Sequence, residues 1–253
     1  MNGEILLSCK IAAAAKLALK EKELIHCEHS KYEHSITFDF LPHRTFLTTK
    51  TYKASNINEW YEKCLSQGLF DIKFLMPLSV EDRGLLGFSN SSQNSLVCFY
   101  KNEKVTYFTA HWEFDNTIKL WNIRYTEQSW KNPPQDKPQF EDNTEKFAEI
   151  LKEIEIFARE IECIEFADIF HNAKVILKDG HKTSSENSIL LPSKNYNLFM
   201  AASTADVFGA MGSWNDSPRY MAHEKGLEPK YDELSTELLK QLRLAVLYAI
   251  NQW

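Results

Sequence analysis

The chain has 253 residues, 43% of them hydrophobic, which is enough to bury a sizeable core. A formal charge of −6 and a pI near 5.8 exclude the basic footprint of a nucleic-acid binder and suit a partner of opposite charge. No apolar run approaches the ~20 residues that a membrane span requires, so no membrane association is expected.

The first segment, MNGEILLSCKIAAAAKLALKEKE, is interrupted by Lys10 and Lys16 and has no cationic start. It reads as an amphipathic helix of the mature protein and not as a secretory leader. HCEHSKYEH follows, with His26, Cys27, His29 and His34 close together. Imidazole and thiolate are good zinc ligands, but this spacing matches no familiar site, and no distant pair completes four ligands. His26, His29 and His34 are therefore candidates only, and no metal or other cofactor is expected.

ITFDF alternates, with Ile36, Phe38 and Phe40 on one side, and RTFLTTKTY reads as its partner strand. Ser55 and Asn56 cap a short helix carrying Trp60, Tyr61 and Leu65, stopped by Gly68. DIKFLM is a further strand, and RGLLGFSNSSQNS (83–95) a long loop. From 96 to 126 the spacing predicts a meander of three strands, with two-residue turns at Asn102-Glu103 and Asp115-Asn116. Those turns would set Val97 and Ile123 against Phe108, Trp121 against Ala110, Arg124 against Tyr107 and Leu120 against His111. The face carrying Tyr107, His111, Glu113 and Arg124 is polar enough to bind an anion or to transfer protons.

NPPQDKP is the best internal break and gives a candidate boundary at 131–139. Beyond it the apolar seam Phe147, Ile150, Ile154, Phe157, Ile161, Ile164 has helical spacing. Extending the seam reaches Asp168 and His171, one turn apart, which could pair or join a catalytic or metal site. KVILKDGHKT reads as a strand entering a turn at Asp179-Gly180, and the segment from Tyr196 to Phe208 as a helix of small residues. Gly209 and Gly212 would end that helix, and Pro218 would keep it from resuming. The last segment, from Pro229 to Trp253, is a helix apolar almost all round, so more than one of its sides should be buried.

The expected fold is α+β, with an antiparallel sheet from the N-terminal half packed against helices mainly from the C-terminal half. One compact domain spanning 1–253 is expected. The five cysteines are widely spaced with no CxxC pair, which points to reduced thiols in a cytoplasmic protein. GxGxxG, Walker A, HExxH and GxSxG signatures are all absent from the sequence. The leading expectation is an interaction protein of immunity or inhibitor type whose partner is another protein. Its contacts would come from the connector FGAMGSWNDSPRYM through Trp214, Asn215, Asp216, Arg219 and Tyr220. The alternative is a hydrolase, metal-dependent in one form, using His111 or His171 with nearby carboxylates.

Overall fold

The structure is a computed structural model that describes residues 1–44, 49–134, 136–180 and 189–253. These residues form two compact units. A sheet unit comprises Glu4–Leu75 and Gln93–Pro138, and a helical unit comprises Met1–Gly3, Met76–Ser92 and Gln139–Trp253. The later of the two crossings from the sheet unit to the helical unit falls between Pro138 and Gln139, where the proline-rich segment ends.

The sheet unit contains α1 (Gly3–Glu21), β1 (Glu33–Asp39), β2 (His43–Arg44), β3 (Thr49–Lys50), β4 (Lys53–Ala54) and α2 (Ile57–Ser66). After these come β5 (Leu69–Leu75), β6 (Ser95–Tyr100), β7 (Val105–Asp115) and β8 (Leu120–Ser129). Six of the strands form one sheet in the order β4-β1-β8-β7-β6-β5. The chain is α+β, but the sheet is mixed and not antiparallel throughout: β1 runs parallel to β8, with Ile36 opposite Ile123. Within the strand expected at RTFLTTKTY, residues 45–48 lie outside the described residues; β4 pairs with β1 through Phe38 and Ala54.

One sheet face carries an aromatic layer. Phe38 stacks on Trp60 of α2 and on Tyr125 of β8, each at 4.9 Å, and Phe108 meets Phe38 edge-on at 6.0 Å. Ser8 of α1 reaches the same layer, its hydroxyl 2.9 Å from that of Tyr125. The expected cap of α2 is present: Asn56 Oδ1 accepts the Glu59 N–H at 2.9 Å, while Glu59 Oε2 accepts the Ser55 N–H at 2.8 Å. Gly68, with φ of 91°, supplies the left-handed turn into β5.

Both meander turns are longer than two residues. Glu103 takes a left-handed conformation (φ 63°) in a loop of Lys101, Asn102 and Glu103, so Leu96, and not Val97, pairs with Phe108. That slip by one residue moves Val97 to the other face, opposite Tyr107. At the second turn the Asp115 carboxylate accepts the N–H groups of Thr117 and Ile118 at 2.7 and 3.3 Å. It thereby closes a four-residue loop, and these backbone bonds hold the Asp115 pKa below its ordinary value. The shift of four leaves each side chain on its expected face but changes its partner. Ala110 now meets Tyr125, His111 meets Arg124, Trp112 meets Ile123 and Tyr107 meets Gln128.

The helical unit holds a 3₁₀ turn (Arg83–Gly87), α3 (Thr144–Glu160), α4 (Ile164–Asp179), α5 (Ser193–Ala205), α6 (Ser217–Glu224) and α7 (Glu228–Asn251). The seam expected to run on from 144 is broken. Glu162 turns left-handed (φ 61°), Cys163 N–H returns to Ala158 O at 2.8 Å, and α4 folds back on α3. Ile161 is buried and Ile164 exposed, because the turn resets the helical phase. The strand expected at 174–183 is instead the end of α4, closed by Gly180 (φ 83°). Its last three residues, 181–183, lie outside the described residues.

The helix α5 ends at Ala205, before the glycines expected to stop it. Pro218 sits in the first turn of α6 and so starts a helix where it was expected to prevent one. The last helix, α7, is buried nearly all round. Its Arg243, itself buried, donates to Pro77 O at 2.5 Å and so ties residues 76–92 to the helical unit.

Candidate functional site

Trp214 forms the floor of the connector between α5 and α6. Its side chain is 0% exposed, stacked on Tyr231 at 5.6 Å with the rings of Phe166 and Phe170 edge-on at 5.3 and 5.2 Å. The indole N–H donates to Ser235 Oγ at 2.8 Å, and Tyr231 Oη donates to Trp214 O at 2.7 Å. Both polar groups of a fully buried residue are thus satisfied, and its ring is not available to a partner. Asp216 Oδ2 accepts the Gly212 N–H at 2.8 Å, closing the turn in which Gly212 has φ of 77°. Asn215 Nδ2 donates both to Gly209 O at 3.2 Å and to Arg83 O at 2.9 Å.

That last bond joins the connector to the 3₁₀ turn. The joint is tight: a Cβ on Gly87 would lie 2.2 Å from Ala210 N and 2.8 Å from Ala210 Cβ, so only glycine fits. Arg83 fixes the same turn to α7, donating to Asp232 Oδ1 at 2.7 Å and to Thr236 Oγ1 at 2.8 Å. Two loops remote in sequence therefore stand as one rigid surface. Leu85, Phe88 and Met211 project from it, 55%, 59% and 94% exposed. Tyr220, 62% exposed, and Arg219 lie just beyond on α6, where Arg219 and His223 share the Glu228 carboxylate at 3.7 and 3.2 Å. Large apolar side chains held in water on ordered loops mark an interaction surface better than the same residues scattered singly.

The connector residues proposed from sequence therefore divide. Trp214, Asn215 and Asp216 hold the loop, and Arg219 and Tyr220 face solvent. Leu85, Phe88 and Met211 were not among the sequence candidates. Their signal was present: each is a large apolar residue set among Gly, Ser or Asn without helical or strand periodicity.

The catalytic candidates do not meet. Asp168 pairs with Arg159 at 3.2 Å, and His171 Nδ1 lies 3.4 Å from Glu155 Oε1. Glu155 also accepts from Lys174 at 2.6 Å and from Arg159 at 3.2 Å. Burial works against its charge, yet these hydrogen bonds outweigh burial and hold its pKa below the ordinary carboxylate value. The arrangement is a clasp between α3 and α4, not an Asp-His pair. His111 is exposed on β7 opposite Arg124, in the sheet unit. Near α2, Cys27, His29 and His34 line a hollow of about 280 Å³ with Asn56. Burial pushes the Cys27 thiol up to about 12, which disfavours the thiolate a metal would need. His26 is exposed, and among the described residues no group of three or more His, Cys, Asp or Glu is gathered for a metal ion. Among the described residues no helix is long and apolar enough to cross a membrane. Comparison with protein-family models, with curated proteins and with solved structures returned no match to this chain.

Proposed function

We propose that the chain acts by binding another protein, through the surface formed by Leu85, Phe88, Met211, Arg219 and Tyr220. The observation that carries this reading is the fixation of the two loops upon each other while their large apolar side chains remain in water. A loop already held in one conformation loses little entropy on binding, so more of its contact energy appears as affinity. Tyrosine and arginine are the residue types that most often dominate such contacts, and methionine adapts to a partner's shape. The net charge of −6 favours a basic partner, and an immunity- or inhibitor-type role fits that acidity. The free cysteines suit a reducing compartment, and we place the protein in the cytoplasm.

The test is site-specific photo-crosslinking in the source cells. A photo-reactive residue at position 211 or 220 should trap one discrete partner. The same residue at Ile156, exposed on α3, should not. The combined variant Leu85→Ser, Phe88→Ser, Met211→Ser should keep its melting temperature and lose the adduct formed through position 220. Equal adducts from positions 156 and 220, or an adduct that survives the combined variant, would reject this surface.

A further inference from the structure

Among the methionines and cysteines of the described residues, Met211 alone is exposed, at 94%, and it stands in the two-loop surface. Met76 is buried, and Met1, Met200 and Met221 are partly covered. Local structure holds Met211 where it is. It occupies the apex of a turn closed by the Ser213 N–H, which donates to Ala210 O at 3.1 Å, and Gly212 supplies the positive φ of 77° that follows it. Before it, Ala210 is wedged against Gly87; after it, the Gly212 N–H is held by Asp216 Oδ2 at 2.8 Å. The main chain is therefore fixed on both sides of Met211, and its thioether remains in water.

Two-electron oxidants such as peroxides attack thiolates and accessible thioethers. The thiols of this chain compete poorly for them. Cys9, Cys64 and Cys98 are fully buried. Burial raises the Cys27 thiol to about 12 and raises Cys163 as well, so both stay protonated near neutral pH. A thioether carries no proton, so its reaction needs no prior ionisation and follows access.

We propose that Met211 is the oxidation site of this chain and that its sulfoxide closes the two-loop surface to the partner. The second half rests on the binding role proposed for that surface. The sulfur lone pair attacks one oxygen of a peroxide and the O–O bond breaks. The hydroxide released takes the proton from the oxygen left on sulfur and departs as water. Sulfur gives up two electrons and the peroxide gains them. The product replaces an apolar contact atom by a strong acceptor, which a contact of apolar side chains would bury without a donor. A sulfoxide reductase, with a dithiol that becomes a disulfide, removes the oxygen as water and restores the thioether.

The experiment treats the full chain with hydrogen peroxide and follows every methionine by peptide mass mapping. Sulfoxide should accumulate at Met211 about 5-fold or more faster than at any other methionine, with the thiols still free and the melting temperature unchanged. The chain carrying the photo-reactive residue at position 220 is then irradiated in extract of the source cells. Oxidation should lower the discrete adduct about 10-fold, and Met211→Gln, polar and of similar length, should lower it as far without peroxide. Met211→Leu should give the full adduct before and after peroxide. Sulfoxide forming at Met1, Met200 or Met221 ahead of Met211 would overturn the proposal, as would an adduct that survives oxidation of Met211. An adduct lost on oxidation of Met211→Leu would also overturn it, because another oxidised group would then be responsible. Absence of any adduct from untreated protein would reject the surface itself and the control of binding with it, while the mass map reports on the oxidation site in either case.

Discussion

Replacing Gly87 by alanine tests the rigidity on which the proposed contact surface depends. The added Cβ would stand 2.2 Å from Ala210 N and 2.8 Å from Gly209 C, where ordinary contact begins near 3.4 Å. Both facing atoms are main chain, so relief requires one loop to retreat by roughly 1 Å and not a side chain to rotate. Gly87 is not among the glycines with positive φ, so the cost is steric and not conformational. Overpacking of this kind costs about 1–3 kcal/mol, and contact with backbone places it near the upper end. The retreat also pulls Asn215 Nδ2 from Arg83 O, now at 2.9 Å. Gly209→Ala is the matched control, because its Cβ would meet Ser213 Cβ at an ordinary 3.5 Å. Urea unfolding should show a lower midpoint for Gly87→Ala at unchanged slope, and Gly209→Ala within about 0.5 kcal/mol of the parent. The crosslink from position 211 should weaken in the first variant and persist in the second. Equal stability of both variants, with the crosslink intact, would refute the claim that the two loops are fixed upon each other.

Trp214→Ala should destabilise by about 3–5 kcal/mol, since it empties a fully buried indole site and leaves Ser235 without its 2.8 Å partner; a loss below 1 kcal/mol in thermal melts would contradict the packing described. Glu155 has a depressed pKa in the fold, so it adds stability above its unfolded value that disappears as pH falls through its folded value. Glu155→Gln should therefore cost about 1 kcal/mol at pH 7 and progressively less below about pH 4; a gap that widens in acid would reverse the argument. Burial, followed by the charge of Lys73, brings Lys16 down to about 8. Its unfolded counterpart stays protonated to about 10.4, so the Lys16 contribution to stability should improve as pH rises between those values. Lysine side-chain NMR should find Lys16 titrating well below the ordinary lysine value, and a result near 10.4 would exclude this.

Local rules determined the elements whose signals are contiguous. Asn56, Glu59 and Gly68 delimit α2, and Ile36, Phe38 and Phe40 alternate into one buried face. The polar face of β7 also survives in the structure, because a register shift of four leaves every side chain on its side. Registers and partners were decided elsewhere. Glu103 and Glu162 adopt left-handed backbones without being glycine, held by bonds within the completed turn, so neither the three-residue hairpin loop nor the fold-back of α4 had a legible signature. The parallel pairing of β1 with β8 joins strands some eighty residues apart, and no short-range pattern specifies such a neighbour. Trp214 shows the same division at the candidate site. Its neighbours in sequence are polar and turn-forming, which reads as an exposed loop, but its neighbours in space are Tyr231, Phe166 and Phe170. Burial belongs to the set of residues that close around a side chain, and that set was gathered from two helices, α4 and α7, by tertiary packing, leaving Met211, Leu85 and Phe88 in the water where the tryptophan was expected.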